Sequence, residues 1–271
     1  MEVRPLALFV LVFPVSVVAG EIPEASVVLR YLGNEGFALE AEGESVLFDA
    51  LQTVGTEAHG DLPESVYAQM LARKRPFEKV RLVLTSHPHA DHFVPSVVSR
   101  FLLKHAESTV AGVGEVLSLL KDEPGYAGFK ARLREVHLEA GPGTDLEVGG
   151  VQVRFIELPH LAFELYQVRV VAHLVRIGGV SVLHVGDAEL TPERLDQLGL
   201  AKESIDVAIL PYWVFNKPGS LALVQKHIRP KKIVSMRLPQ GAAALDEAQE
   251  KISTASPGAI VLTKPMEAIR L

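Results

Sequence analysis

The segment "TSHPHADH", residues 85–92, holds four side chains able to bind a metal: His87, His89, Asp91 and His92. The chain contains no cysteine, so thiolate ligands and disulfides are both excluded and any metal site must use histidine and carboxylate. The preceding run "VRLVLTS" reads as a buried strand that delivers the chain into this cluster. On an extended segment alternate residues project to one side. His87 and His89, about 6.5 Å apart at Cα, therefore reach one ion together. Asp91 and His92 follow a bend and face a neighbouring position.

With this H-x-H-x-D-H box the chain resembles the metallo-β-lactamase superfamily over nearly all of the region after residue 20. The family's other stations match Asp49 in "LFDA", His160 in "ELPH" and Asp187 in "HVGD", each after a strand-like run. The opening "YLGNEGFALE" is similar to the first hairpin of the branch related to lactonases and ribonuclease Z-type hydrolases. The resemblance implies an α/β fold, a four-layer αββα sandwich with metals at one edge between the sheets. It also implies a ligand set. His87, His89 and His160 would form an open catalytic zinc site, and Asp187 would bridge to a second ion held by Asp91 and His92. Asp49 would be an acceptor that fixes a ligand histidine.

One station departs from the pattern. Where the family ends a late strand with histidine, "KKIVSM" is followed by Arg237, which stays protonated and has no lone pair for a metal. Three readings follow: a one-metal site, an arginine that clamps an anionic group of the substrate, or a shifted register in which His227 takes the role. His227 lies near the end of the helix-like "LALVQKHIRP", where the helix dipole accounts for a histidine, and it is expected not to be a ligand. "PYWVFN" concentrates Tyr212, Trp213 and Phe215 after a strand, either as one wall of a substrate pocket or as core packing. His59, His105, His137, His173 and His184 are expected to be packed or surface residues.

These residues need strand ends to position them, and the pattern supplies them. Three β-rich runs open the chain, and helices are expected at 63–75, 95–106 and 112–121. A β-rich stretch covers 134–185, with "GG" turns at 149–150 and 178–179. "TPERLDQLG" carries Thr191 as N-cap, Pro192 in the first turn and Gly199 as the stop. The remainder alternates strand and helix, with helices near 219–229 and 241–254 and a last strand in "AIVLT". The order is strands, then alternating β and α, twice over, which favours one compact domain at 21–271 with sheets inside and helices outside.

Residues 1–20 have the layout of a secretory signal peptide: a short head, an apolar run from Pro5 to Val18, then Ala19 and Gly20 at a plausible cleavage site. A first core strand or an uncleaved anchor is the other reading of this stretch. The apolar run is short for a membrane span of about 20 residues, so no stable membrane insertion is expected after cleavage. A net charge of −6 gives no electrostatic reason to bind nucleic acid. The expectation is a periplasmic or secreted hydrolase of a small-molecule substrate. A metal-bound hydroxide would cleave an ester, lactone, amide or phosphodiester bond, with Asp91 orienting the nucleophile or shuttling its proton. Zinc is the expected ion, one at the three-histidine site with a second left open, and iron or manganese would suit the same donors. The alternative is a catalytically degenerate metal- or ligand-binding module on the same fold.

Overall fold

A computed structural model describes residues 26–55, 60–139, 141–161 and 168–271. The leader at 1–20 and His59 lie outside the described residues. Strands β1 (Val28–Gly33), β2 (Gly36–Ala41) and β3 (Glu44–Phe48) form an antiparallel meander. Onto β3 are added, in parallel, β4 (Val80–Leu84), β5 (Thr109–Gly112) and β6 (Leu133–Glu135). The second sheet repeats the plan. Antiparallel β7 (Thr144–Val148), β8 (Val151–Pro159), β9 (Arg169–Ile177) and β10 (Val180–His184) lead into parallel β11 (Val207–Pro211), β12 (Lys232–Met236) and β13 (Ile260–Val261). The last strand, β14 (Ala268–Arg270), returns to pair with β1 and completes the first sheet.

Side-chain alternation explains how the sheets layer. Leu29, Phe37, Leu39, Val46, Phe48, Leu82 and Leu84 share one core with Val153, Phe155, Leu174 and Val182 of the second sheet. The intervening Ala38, Leu47, Val83 and Val110 belong to a second core against helices α1 (Glu64–Leu71) and α2 (Pro95–Lys104). The further described α-helices are α3 (Gly114–Ser118), α4 (Tyr126–Phe129), α5 (Pro192–Leu198), α6 (Trp213–Asn216), α7 (Ser220–Leu223) and α8 (Ala242–Ala255). Leu195 of α5 and Ile252 of α8 are buried with the second sheet, completing the αββα sandwich. Among the described residues no helix is long and apolar enough to cross a membrane.

Several boundaries differ from the periodicity. The helix expected at 63–75 stops at Leu71, two residues before Arg73 takes φ +52, a left-handed turn that continues no helix. The helix expected at 112–121 shortens to α3, and that near 219–229 is α7 running into a π turn, Val224–Ile228. Thr191 does cap α5, accepting from the Arg194 amide at 3.4 Å, and Gly199 closes it at φ +64.

Candidate metal centre

The site is built at strand ends. In each sheet the parallel strands run in one direction, so the residues leaving β3, β4, β10 and β12 emerge along a common edge. Asp49 leaves β3, the box leaves β4, Asp187 follows β10 and Arg237 follows β12. His160 leaves β8 and is bridged to Ala188, beside Asp187. One glycine lets the two sheets meet here. Gly186, at φ +55, lies so close to the box that a Cβ on it would stand 2.7 Å from the Ser86 Cβ.

Three imidazoles converge: the ring centroids of His87, His89 and His160 lie 4.5, 4.9 and 5.1 Å apart pairwise. One ligand atom from each falls within 4.8 Å of the other two. Hydrogen bonds behind the rings fix which nitrogen faces inward. The buried Asp49 carboxylate accepts from the Ser86 amide at 2.7 Å, the Ser86 hydroxyl at 2.7 Å and His92 Nδ1 at 2.8 Å. Ser86 spends its only proton on Asp49, so its oxygen accepts from His87 Nδ1 at 2.9 Å. That leaves the His87 Nε2 lone pair turned into the cluster, 2.9 Å from His89 Nδ1. His160 donates from Nδ1 to the Leu161 carbonyl, which turns its Nε2 inward, 3.8 Å from an Asp187 oxygen. Asp49 also holds φ +43, an uncommon conformation for aspartate, in keeping with a position dictated by its partners.

Asp91 and His92 do turn to a neighbouring position, as the bend predicts. The bend is a helical turn in which the His92 and Phe93 amides donate to the His89 carbonyl at 2.9 and 2.8 Å. A second group of ligand atoms, from Glu35, Asp91, His92 and Asp187, lies within 4.8 Å of one another. Arg237 Nη1 stands among them. It donates to Asp91 Oδ2 at 2.7 Å, to Asp187 Oδ1 at 3.3 Å and to Glu35, and lies 3.0 Å from Asp187 Oδ2 and 3.4 Å from His92 Nε2.

Electrostatics separate the two groups. Burial, then the neighbouring His92, holds His87 well below the ordinary imidazole range, and burial with His160 lowers His89. Both therefore offer lone pairs rather than protons at neutral pH. Burial disfavours charge on His92 as well, but the carboxylates of Glu35, Asp187 and Asp49 outweigh it and raise its pKa well above the usual value. Burial opposes ionisation of Asp49, yet His92 beside it holds the carboxyl well below the carboxylate range. Asp91 is also held low, with His92 and Arg237 outweighing its burial. Glu35 is pushed up to about 8 by burial, against the pull of His92 and Arg237.

The donor set of the first group fits a divalent ion such as zinc: three inward lone pairs with an aspartate beside them. The second group does not fit one, because Nη1 fills the space its four members surround. His227 is not part of either group. It is buried on the π turn with Nδ1 3.1 Å from Asp196, so the shifted-register reading is set aside. Trp213 comes to the site, its ring 5.7 Å from the Arg237 guanidinium carbon and its indole N–H 3.4 Å from the Ala188 carbonyl. Tyr212 instead packs, half-buried, against the core. His105, His173 and His184 are buried in the body of the fold, and His137 is exposed.

Two residues of the centre carried no signal of their own in the sequence. Glu35 lies in the β1–β2 turn, in "GNEG", a composition that suggests solvent, yet it is fully buried. Ser86 lies inside the box, but only its contacts show that it links Asp49 to His87.

The fold is matched by the comparisons. No curated protein is detectably similar in sequence. Solved structures share the fold at low identity. Igni18, a metallo hydrolase from Ignicoccus hospitalis, is 17% identical, with 91% of this chain and 98% of that one covered at a TM-score of 0.58. Human tRNase Z, short form, is 14% identical over 89% and 98%, with a TM-score of 0.57. CmlA, a diiron beta-hydroxylase from Streptomyces venezuelae, is 17% identical over 93% of this chain but 55% of its own, with a TM-score of 0.58. Residues 28–237 match the family described as "Beta-lactamase superfamily domain", and with its box, strand-end residues and αββα layers the chain belongs to that metallo-β-lactamase superfamily.

Proposed function

We propose that this protein is an exported, zinc-dependent hydrolase of a small-molecule ester, lactone, amide or phosphodiester. The observation that carries the reading is the convergence of the His87, His89 and His160 nitrogens beside Asp187. When bound there, a divalent ion supplies Lewis acidity to water and to a carbonyl or phosphoryl oxygen. The chain's own groups serve that chemistry. Asp49, through Ser86, keeps the His87 lone pair aimed inward, and the Leu161 carbonyl does the same for His160. Asp91, ionised and a quarter exposed, is placed to accept a hydrogen bond or proton from a water entering the site. Trp213 forms a wall beside Arg237.

Histidine and carboxylate also suit iron and manganese, and one structural neighbour is a diiron enzyme. Elemental analysis of natively expressed protein distinguishes these from zinc. The reading is tested by screening the zinc-loaded protein lacking residues 1–20 against esters, lactones, amides and phosphodiesters. Hydrolysis should appear with at least one class and vanish on chelation and in His89→Ala. Metal uptake without turnover of any class would favour the degenerate binding module instead, for which Arg237 in the second group is the supporting observation. Export is tested by the mature N-terminus after secretion, expected at residue 20 or 21.

A further inference from the structure

The family resemblance carries an expectation of a second ion between Asp91, His92 and Asp187. This chain puts a side chain there. Arg237 follows β12 at φ +54, a left-handed conformation unfavourable for arginine, and its amide donates to the Asn34 carbonyl at 3.3 Å. That bond ties the end of β12 to the β1–β2 turn, which also carries Glu35. From this backbone position Nη1 meets Glu35, Asp91 and Asp187 together and approaches His92 Nε2.

Glu35 is the other half of the arrangement. Its side chain is fully buried, one oxygen is held by Arg237, and the other has no hydrogen-bond partner among the described residues. A buried carboxylate costs stability unless positive charge answers it; Arg237 Nη1 is in contact with Glu35, and His92 Nε2 lies 3.8 Å from the same oxygen. Removing the guanidinium would leave the Glu35, Asp91 and Asp187 carboxylates and a histidine nitrogen facing one vacated space. That is the donor set of a divalent-ion site.

We propose that Arg237 is a tethered second cation: its guanidinium replaces the second metal ion, and with Glu35 it restricts the centre to one ion. The proposal rests on the metal-dependent reading of the three-histidine group. It places specificity for metal number in a pair 202 residues apart in the chain. Arg237 is one-third exposed, and its side-chain hydrogen bonds to the described residues run through Nη1, so the fixed charge also borders the open side of the site.

The test counts ions. The full-length chain freed of residues 1–20, and its Arg237→Ala and Arg237→His variants, are stripped with chelator and titrated with zinc. Native mass spectrometry gives the stoichiometry, and thermal denaturation is recorded after each equivalent. The wild type should stop at one ion and gain nothing in Tm from the second equivalent. The variants should reach two and show a second rise in Tm. Arg237→His covers the case in which Arg237→Ala leaves the carboxylates too poorly answered to fold. Two ions in the wild type would overturn the proposal while leaving the hydrolase reading standing. One ion in every folded variant would overturn it too. A wild type that binds none would instead remove the reading on which it rests.

Discussion

Replacing Asp49 by asparagine tests the scaffold behind the metal ligands. The carboxylate is buried and accepts three hydrogen bonds at 2.7, 2.7 and 2.8 Å, from the Ser86 amide, the Ser86 hydroxyl and His92 Nδ1. Asparagine keeps one acceptor oxygen and puts an NH₂ where the other stood, so at least one donor then faces a donor. A charge-assisted hydrogen bond contributes about 1.5–3 kcal/mol, and breaking one half of a buried charged pair costs about 3–5 kcal/mol. We expect the metal-free Asp49→Asn protein to lose about 3–5 kcal/mol. In urea that corresponds to a midpoint lower by about 1–2.5 M, given slopes near 2–3 kcal/mol/M for a chain of this size. Metal affinity should fall by about 10–100-fold, because the proton on His87 is no longer fixed at Nδ1. The assay is urea unfolding in chelator beside a zinc competition titration. A loss under about 1 kcal/mol with unchanged zinc affinity would contradict this role for Asp49.

Other perturbations separate the parts of the account. Gly186→Ala puts a Cβ 2.7 Å from the Ser86 Cβ at φ +55, so it should cost about 2 kcal/mol or more and weaken zinc binding; calorimetry and the zinc titration check both. His173 is buried, both its ring nitrogens lack hydrogen-bond partners among the described residues, and burial lowers its pKa to about 3. Below the unfolded value of 6.5 the unfolded chain takes up a proton that the folded chain refuses, so stability is lost as pH falls from 6.5 toward 3. From this residue alone the loss is about 2 kcal/mol by pH 5, and His173→Leu should remove that part of the pH slope; equal slopes would contradict it. Thr191→Ala removes the α5 cap and should cost about 0.5–1 kcal/mol in urea unfolding with no change in zinc affinity, since neither Thr191 nor Arg194 supplies a ligand atom to the centre.

Local signals made most of this centre legible in the sequence. The strand "VRLVL" announces itself by its aliphatic run, and the box follows at its end. His160 and Asp187 likewise come after strand-like runs, which is why both lie at the edge where the box lies. Glu35 and Arg237 behave differently. Neither neighbourhood reveals a buried ion pair, because the pair exists only once β12 and the β1–β2 turn meet across the sandwich. Helix ends such as that of α1 were blurred for a similar reason: "ARKR" has good helix formers, and the turn at Arg73 is set by its bonds to Glu107 and the Glu78 carbonyl. The pairing of β14 with β1, which closes the first sheet, also spans almost the whole chain and leaves no local mark.

We propose that this fold binds one ion, between His87, His89 and His160, and keeps Arg237 where a second would go. A crystal of the zinc-loaded protein measured at the zinc absorption edge tests it most directly. One anomalous peak is expected, ringed by the three imidazoles with Asp187 beside it, and Arg237 Nη1 still held by Glu35 and Asp91. A peak between Asp91 and His92 with the arginine displaced, or no peak at the histidines, would contradict it.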